Sequence, residues 1–404
     1  YRMKLIERSP YLERLISVVE TPDIKVITGI RRSGKSVLLE SFISRCRGLF
    51  PDANIIHINF NFTANEYLRE YHSLLYHIET QYKDGVKNIV CIDEVQMCTG
   101  FENAINSLHA TGKYAIYLTG SNAYLLSGDL ATLFTGRVFE ISVYPFSFSE
   151  FRKYWEIPDI DEAFERYLRE GGMPGSYPYK DQDEKYAYLQ NIVRTLLIRD
   201  ILQNYRIKNT TVLERLCNYL IDNVSNQTSV RNIAASLSAD GCKTNHITAG
   251  NYVHALCSAF AFYRVNRYDI QGKRYLSTQE KYYLADHAFR YALHGTKNLD
   301  HGRVLENIVA IELLRRGYEV YAGTLYEKEI DFVALKRNEK LYIQVADDIT
   351  RPETFQRECE PLQKIRDSYP KMILARTKYD ASDHEGIRIL DIARWLAETG
   401  SGSR

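Results

Sequence analysis

A chain of 404 residues is long for one hydrophobic core, so two or three domains are expected, and 45% hydrophobic with 25% charged residues is the balance of a protein with real cores. A formal net charge of +1 excludes a globally basic nucleic-acid binder, so any DNA contact has to come from a local patch. No apolar run approaches the roughly 20 residues of a bilayer span, and the opening Tyr1-Arg2-Met3-Lys4 has no secretory pattern; no membrane partner and a cytoplasmic location are expected.

In chain order, residues 1–150 alternate short β-branched runs with amphipathic stretches. The predicted strands are Lys25–Thr28, Asn54–Asn59, Asn88–Ile92, Tyr114–Thr119 and Arg137–Val143, and the predicted helices are Ser36–Arg47, Glu66–Tyr82 and Phe101–Ala110. Continuous apolar strands separated by helices argue a parallel sheet covered on both faces. Residues 151–208 turn helical around the turn signal Gly171-Gly172-Met173-Pro174-Gly175. Residues 209–300 read as three helices, Val212–Asn223, Val230–Leu237 and His246–Ser258, followed by strands Phe262–Asp269 and Tyr275–Ser277, the outline of a winged helix. Residues 301–396 form a further α/β unit. The closing stretch, 397–404, ends Gly400-Ser401-Gly402-Ser403-Arg404 and reads as a linker or tag remnant. Seven cysteines are scattered without a Cys-x-x-Cys pair, as buried reduced thiols would be.

Residues 29–36, Gly29-Ile30-Arg31-Arg32-Ser33-Gly34-Lys35-Ser36, follow a strand and open a helix, the context a phosphate-binding loop requires. Gly29 and Gly34 let successive N–H groups turn toward phosphate oxygens, Lys35 can reach the β- and γ-phosphates, and Ser36 can place its hydroxyl on Mg²⁺. The run Asn88-Ile89-Val90-Cys91-Ile92-Asp93-Glu94 ends in two acids at the ligand-binding edge of a parallel sheet. Asp93 suits the Mg²⁺ site, and Glu94 suits polarising the attacking water. The next strand ends Thr119-Gly120-Ser121-Asn122. Asn122, with Ser121 second, is the candidate to orient water or sense the γ-phosphate, with turn formation the alternative.

These motifs carry a resemblance. Residues 1–155 resemble the AAA-type ATPases of a large prokaryotic "ATP-binding protein" family through ITGIRRSGKS, IDEVQ, LTGSNAYLLSG, LFTGRVFEI and YPFSFSEF. GGMP, the three-helix segment, LENIVAIELLRRGYEV, EIDFVAL and YIQVADD follow in that family's order, so the likeness spans nearly the whole chain. It implies an α/β architecture: a parallel-sheet P-loop domain of the AAA+/ASCE kind, a helical lid plus winged helix, and a C-terminal α/β restriction-endonuclease-like domain. ATP and Mg²⁺ are the implied cofactors, and the family's roles fall on Lys35, Ser36, Asp93, Glu94 and Asn122. Members commonly place an arginine before the last strand that reaches a neighbouring subunit's γ-phosphate. Arg137 matches, which implies a homo-oligomer, with a hexamer among the open sizes; a solvated arginine is the alternative.

The expected third helix of the winged segment has no Arg or Lys, whereas Lys243, Arg264, Arg267, Lys273 and Arg274 flank it or decorate the hairpin. Any DNA binding is then of low sequence specificity, through phosphates; packing between modules is the alternative. The tail resembles a PD-(D/E)XK nuclease core at Glu306, Asp331 and Gln344, but Gln344 stands where the second acid belongs and Ala346 where the lysine belongs. An ATPase that repositions its other modules on DNA is therefore expected. A scaffold NTPase working through protein contacts and an ATP-dependent nuclease are the other readings.

Overall fold

The computed structural model describes residues 4–120, 134, 136–202, 205, 207, 209–295 and 300–398. They fall into two compact units, one Leu5–Val143 with Ser258–Phe260, the other built on residues 144–257 and 261–398.

In the first unit a helix, α1 (Ser9–Ser17), precedes β1 (Ile24–Thr28), α2 (Lys35–Leu49), β2 (Asn54–Asn59), α3 (Tyr71–Thr80), β3 (Asn88–Asp93), α4 (Phe101–Ala110), β4 (Tyr114–Thr119) and β5 (Val138–Ser142). The strands pair in parallel in the order β2-β3-β4-β1-β5. Alternate residues feed opposite faces, as strand periodicity demands. Ile89 and Cys91 pack with Leu38, Phe42 and Leu12 of α1 and α2, whereas Val90 and Ile92 pack with Leu74, Ile78, Ala104 and Leu108 of α3 and α4. Both faces are covered, which explains why each central strand reads as an unbroken apolar run. The long predicted helix Glu66–Tyr82 is divided: a 3-10 turn, Thr63–Leu68, precedes α3, and the Glu70 carboxylate caps α3 by accepting from the His72 N–H.

The second unit opens with α5 (Phe148–Trp155), whose start is fixed by a reciprocal Ser147–Glu150 capping box. Next come α6 (Ile160–Glu170), α7 (Gln182–Thr195), α8 (Thr210–Asp222), α9 (Val230–Ala239) and α10 (His246–Ser258). They lead to β6 (Phe262–Asp269), β7 (Arg274–Leu284), α11 (Ala288–His294), α12 (His301–Arg315), β8 (Glu319–Leu325), β9 (Lys328–Lys336) and β10 (Glu339–Ala346). Then follow α13 (Pro352–Gln363), β11 (Lys371–Ala375), β12 (Ser382–His384), β13 (Ile387–Asp391) and α14 (Ile392–Ala397). The Gly171-Gly172 turn is tied down because the Gly172 N–H donates to Asp286 Oδ2 at 2.5 Å, and Asp286 also receives the Ala288 N–H.

One expectation is corrected here. The boundary at 300 was to separate the three-helix segment with its hairpin from the tail, yet β6 pairs in parallel with β8. The hairpin and the tail strands form one eight-stranded sheet, β12-β13-β11-β10-β9-β8-β6-β7. The second hairpin strand also runs on to Leu284 rather than stopping at Ser277. Its charged segment Gln279-Glu280-Lys281 looks like a loop by composition, but Lys281 is buried and ion-paired from the strand.

Candidate functional site

The connection from β1 to α2 is the six-residue loop 29–34. Gly29 has φ 141°, and a Cβ there would drive into the carbonyl oxygen of Val143; Gly34 has φ 96°. Only glycine takes such conformations without cost. The N-terminus of α2 follows directly on this loop and gives it the positive end of a helix. Lys35 is 4% exposed, and its Nζ donates to the carbonyls of Gly29 and Ile30, both at 2.9 Å. Arg8, which nothing in the sequence singled out, supports the loop: its Nη1 donates to the Ser33 carbonyl at 3.1 Å, and its guanidinium lies 4.6 Å from the Tyr11 ring centroid. The Ser33 hydroxyl is buried without a hydrogen-bond partner among the described residues.

Because β3, β4 and β1 are adjacent and parallel, Asp93, Thr119 and the loop after Thr28 come to the same sheet edge. Thr119 is the link the sequence did not reveal. Its hydroxyl donates to Asp93 Oδ1 and accepts the Glu94 N–H at 3.0 Å. The other carboxylate oxygen of Asp93, Oδ2, is buried and has no hydrogen-bond partner among the described residues. Glu94 sits at φ 55°, a left-handed conformation costing roughly 1 kcal/mol for a non-glycine residue. That turn directs its carboxylate to a different partner from that of Asp93, the Gln96 amide, which donates to Glu94 Oε2 at 2.5 Å.

A buried aspartate oxygen without a donor, at the edge that carries the phosphate-type loop, fits a hard cation. Ser36 and Asp93 are the residues that would hold Mg²⁺, which when bound would neutralise phosphate charge. Asn122 and Ser121 lie outside the described residues. Arg137 does not join the site within this chain. It precedes Val138, which is in register with Ile24 at the start of β1, so it stands at the opposite end of the sheet from Thr28. At about 3.3 Å per residue the separation is roughly 15 Å.

The tail residues singled out by sequence also converge. Asp331 on β9 donates its N–H to Gln344 Oε1 at 2.7 Å and accepts the Val345 N–H at 2.8 Å. Glu306 on α12 accepts from Lys281 Nζ at 2.9 Å and from the Tyr283 hydroxyl at 2.6 Å. Lys281 also pairs with Glu329 and is 2% exposed. Gln344 Nε2 donates to Glu358 of α13 at 3.3 Å. Burial and the neighbouring Glu306 push the Asp331 carboxyl well above the usual range, opposed by Lys281. Ala346 is packed in the core with Tyr342 and Cys359, so β10 offers no cation there. Lys281, Tyr283 and Glu358 were not legible in advance, because they reach the cluster from elements distant in sequence.

Against known proteins, residues 21–152 match the AAA domain, and residues 161–300 match a domain of unknown function. An uncharacterized protein of Haemophilus influenzae is 36% identical over 401 residues, covering 98% of this chain and 99% of that one. An uncharacterized protein of Methanocaldococcus jannaschii is 28% identical, covering 90% and 83%. Among solved structures, the Aeropyrum pernix ORC1 protein in complex with DNA covers 78% of this chain and 95% of its own at 12% identity, with a TM-score of 0.31, too loose a likeness to bear on function. The AAA match falls on the unit that holds the loop and the acidic strand. The full-length likeness then settles the kinship: this chain is an AAA-domain protein belonging to one family with the Haemophilus influenzae protein.

Proposed function

We propose that the chain is a Mg²⁺-dependent ATPase whose nucleotide state drives the modules that follow the AAA domain, with DNA as the substrate those modules engage. The observation that carries the reading is the pairing of a glycine-turned loop, whose carbonyls hold the Lys35 ammonium, with a buried Asp93 oxygen that has no donor among the described residues, at the same sheet edge. Lys35 binds phosphate charge, Ser36 and Asp93 hold the cation, and Glu94 accepts a proton from the attacking water. Asn122 is assigned to positioning that water.

Arg137 acts on a neighbouring subunit's site. Its place at the far end of β5, exposed, supports a role in trans and argues against one in cis. For DNA, the support is local charge: Lys243, Arg264, Lys273 and Arg274 are exposed around the helix–hairpin segment 209–284, read as a winged helix. The tail, read as a nuclease-like fold with Glu306, Asp331 and Gln344, holds rather than cuts.

The test is the ATPase rate with and without duplex or single-stranded DNA, at low and moderate salt. Hydrolysis in the parent, its loss in Lys35→Ala, and its recovery on mixing Lys35→Ala with Arg137→Ala subunits are the expected results. A parent that neither hydrolyses ATP nor binds it overturns the reading. Salt-independent indifference to DNA removes the nucleic-acid part and leaves a switch acting through protein contacts.

A further inference from the structure

The acidic cluster of the second unit contains its own cation. Four carboxylates approach one another from three elements: Glu306 on α12, Glu329 and Asp331 on β9, and Glu358 on α13. Their proximity shows electrostatically, since Glu306 raises the protonation tendency of both Asp331 and Glu358. Such a gathering ordinarily calls for a divalent ion. Here the Lys281 ammonium lies among the carboxylates instead, 2.9 Å from Glu306 Oε1, paired with Glu329, and in electrostatic contact with Asp331.

Further donors engage the same carboxylates. Tyr283 donates to the same Glu306 oxygen, the Val345 N–H donates to Asp331 Oδ2, Gln227 donates to Glu329 Oε2 at 2.7 Å, and Arg357 pairs with Glu358 at 3.0 Å. Lys281 and Tyr283 both belong to β7, in alternate positions on one face of the strand. The hairpin therefore delivers a cation and a hydroxyl donor together.

We propose that Lys281 is a built-in counter-cation that takes the place of a divalent metal in this cluster and clamps β7 to α12 and β9. The consequence is specific. The carboxylates are expected to hold Mg²⁺ or Mn²⁺ only when the lysine is removed, because the ammonium supplies the positive charge a divalent ion would otherwise bring and occupies one oxygen each of Glu306 and Glu329. The clamp also accounts for the sheet continuity between hairpin and tail, since Glu306, Glu329 and Lys281 join elements on either side of residue 300. It further ties the hairpin to the loop carrying Gln227, between α8 and α9. The three-helix segment, the hairpin and the tail then respond as one body.

The experiment counts bound Mn²⁺ by electron paramagnetic resonance on the nucleotide-free full chain, in an Asp93→Ala background that silences the proposed ATP-site ion. The expected result is no tail site in this background and one new site in Lys281→Met, at least about tenfold tighter than any residual binding, that Glu306→Gln or Asp331→Asn abolishes. Lys281→Arg keeps the charge and gains no site. Should Lys281→Met fail to fold, Lys281→Gln, which retains a donor toward Glu306, takes its place. Mn²⁺ bound by the Lys281-containing background and lost in Glu306→Gln overturns the proposal, as does a folded lysine-free variant that gains nothing. Either result leaves the proposed ATPase untouched, and loss of ATPase activity leaves this proposal untouched.

Discussion

Two strand aspartates, Asp93 at the end of β3 and Asp331 within β9, meet opposite fates in this protein. Asp93 closes a parallel strand, takes one hydroxyl donor from Thr119 on one oxygen, and keeps the other buried without a partner among the described residues. Asp331 lies among other acids, but a backbone N–H, a lysine drawn from the hairpin and the Gln344 side chain at its own amide complete its surroundings. An unfilled carboxylate oxygen next to a phosphate-type loop is a place for a cation. A carboxylate cluster already holding an ammonium is a structural joint. What separates a site from a joint is not the acid but the cation that the fold supplies to it.

The comparison breaks most sharply at Glu94. Glu94→Gln is expected to retain ATP binding while turnover falls about 10³-fold, because a neutral amide cannot accept the proton of the attacking water. Equilibrium binding of a fluorescent ATP analogue alongside steady-state phosphate release checks it, and turnover equal to the parent's would reassign the base.

Lys281→Met tests the joint. Removing the ammonium leaves Glu306 and Glu329 without their shared, buried counter-charge, which is expected to cost about 3 kcal/mol of stability in the second unit. Urea unfolding monitored in that unit should show the loss while ATP binding by the first unit persists. A variant as stable as the parent would mean that the cluster is hydrated and the pair unimportant.

Thr119→Val sharpens the other side of the contrast. The substitution keeps shape but strips the Asp93 oxygen of its donor and leaves the Glu94 N–H without its acceptor, a cost of about 1–3 kcal/mol. Turnover is expected to drop roughly tenfold with little change in ATP affinity, since both acids lose their orientation while Lys35 keeps its place. Thr119→Ser, which keeps the hydroxyl, should restore most of it.

The smallest effect concerns pH. Burial, reinforced by Glu306, raises the folded-state pKa of Asp331 above the unfolded value, so the folded form favours the proton. The associated stability is complete below the ordinary aspartate range and is lost as pH rises through the raised value. The second unit should therefore weaken on raising the pH above that range, by at most about 1.4 kcal/mol per pH unit. Asp331→Asn, which still offers an oxygen to the Val345 N–H, should flatten that slope. Thermal melts of parent and variant across the same buffers decide it.

The sequence by itself determined the parallel sheet of the first unit, though not α1 or the break before α3. Strands such as Asn54–Asn59 and Tyr114–Thr119 and helix Phe101–Ala110 stand where their apolar runs place them, because strands covered on both faces announce themselves by unbroken hydrophobicity. The loop 29–36 and Asp93-Glu94 were legible for the same reason: their chemistry is local, a few residues fixed between a strand and a helix. The tertiary structure alone decided what depends on distant partners. Thr119 gained its role only when β4 settled between β3 and β1, and Arg8 only when the segment before α1 met the loop. The strand that carries Lys281 was legible only as far as Ser277, since a lysine belongs in a buried strand only where Glu306 and Glu329, from other elements, neutralise it. Periodicity records what each segment buries; it does not record which charges the fold will bring face to face.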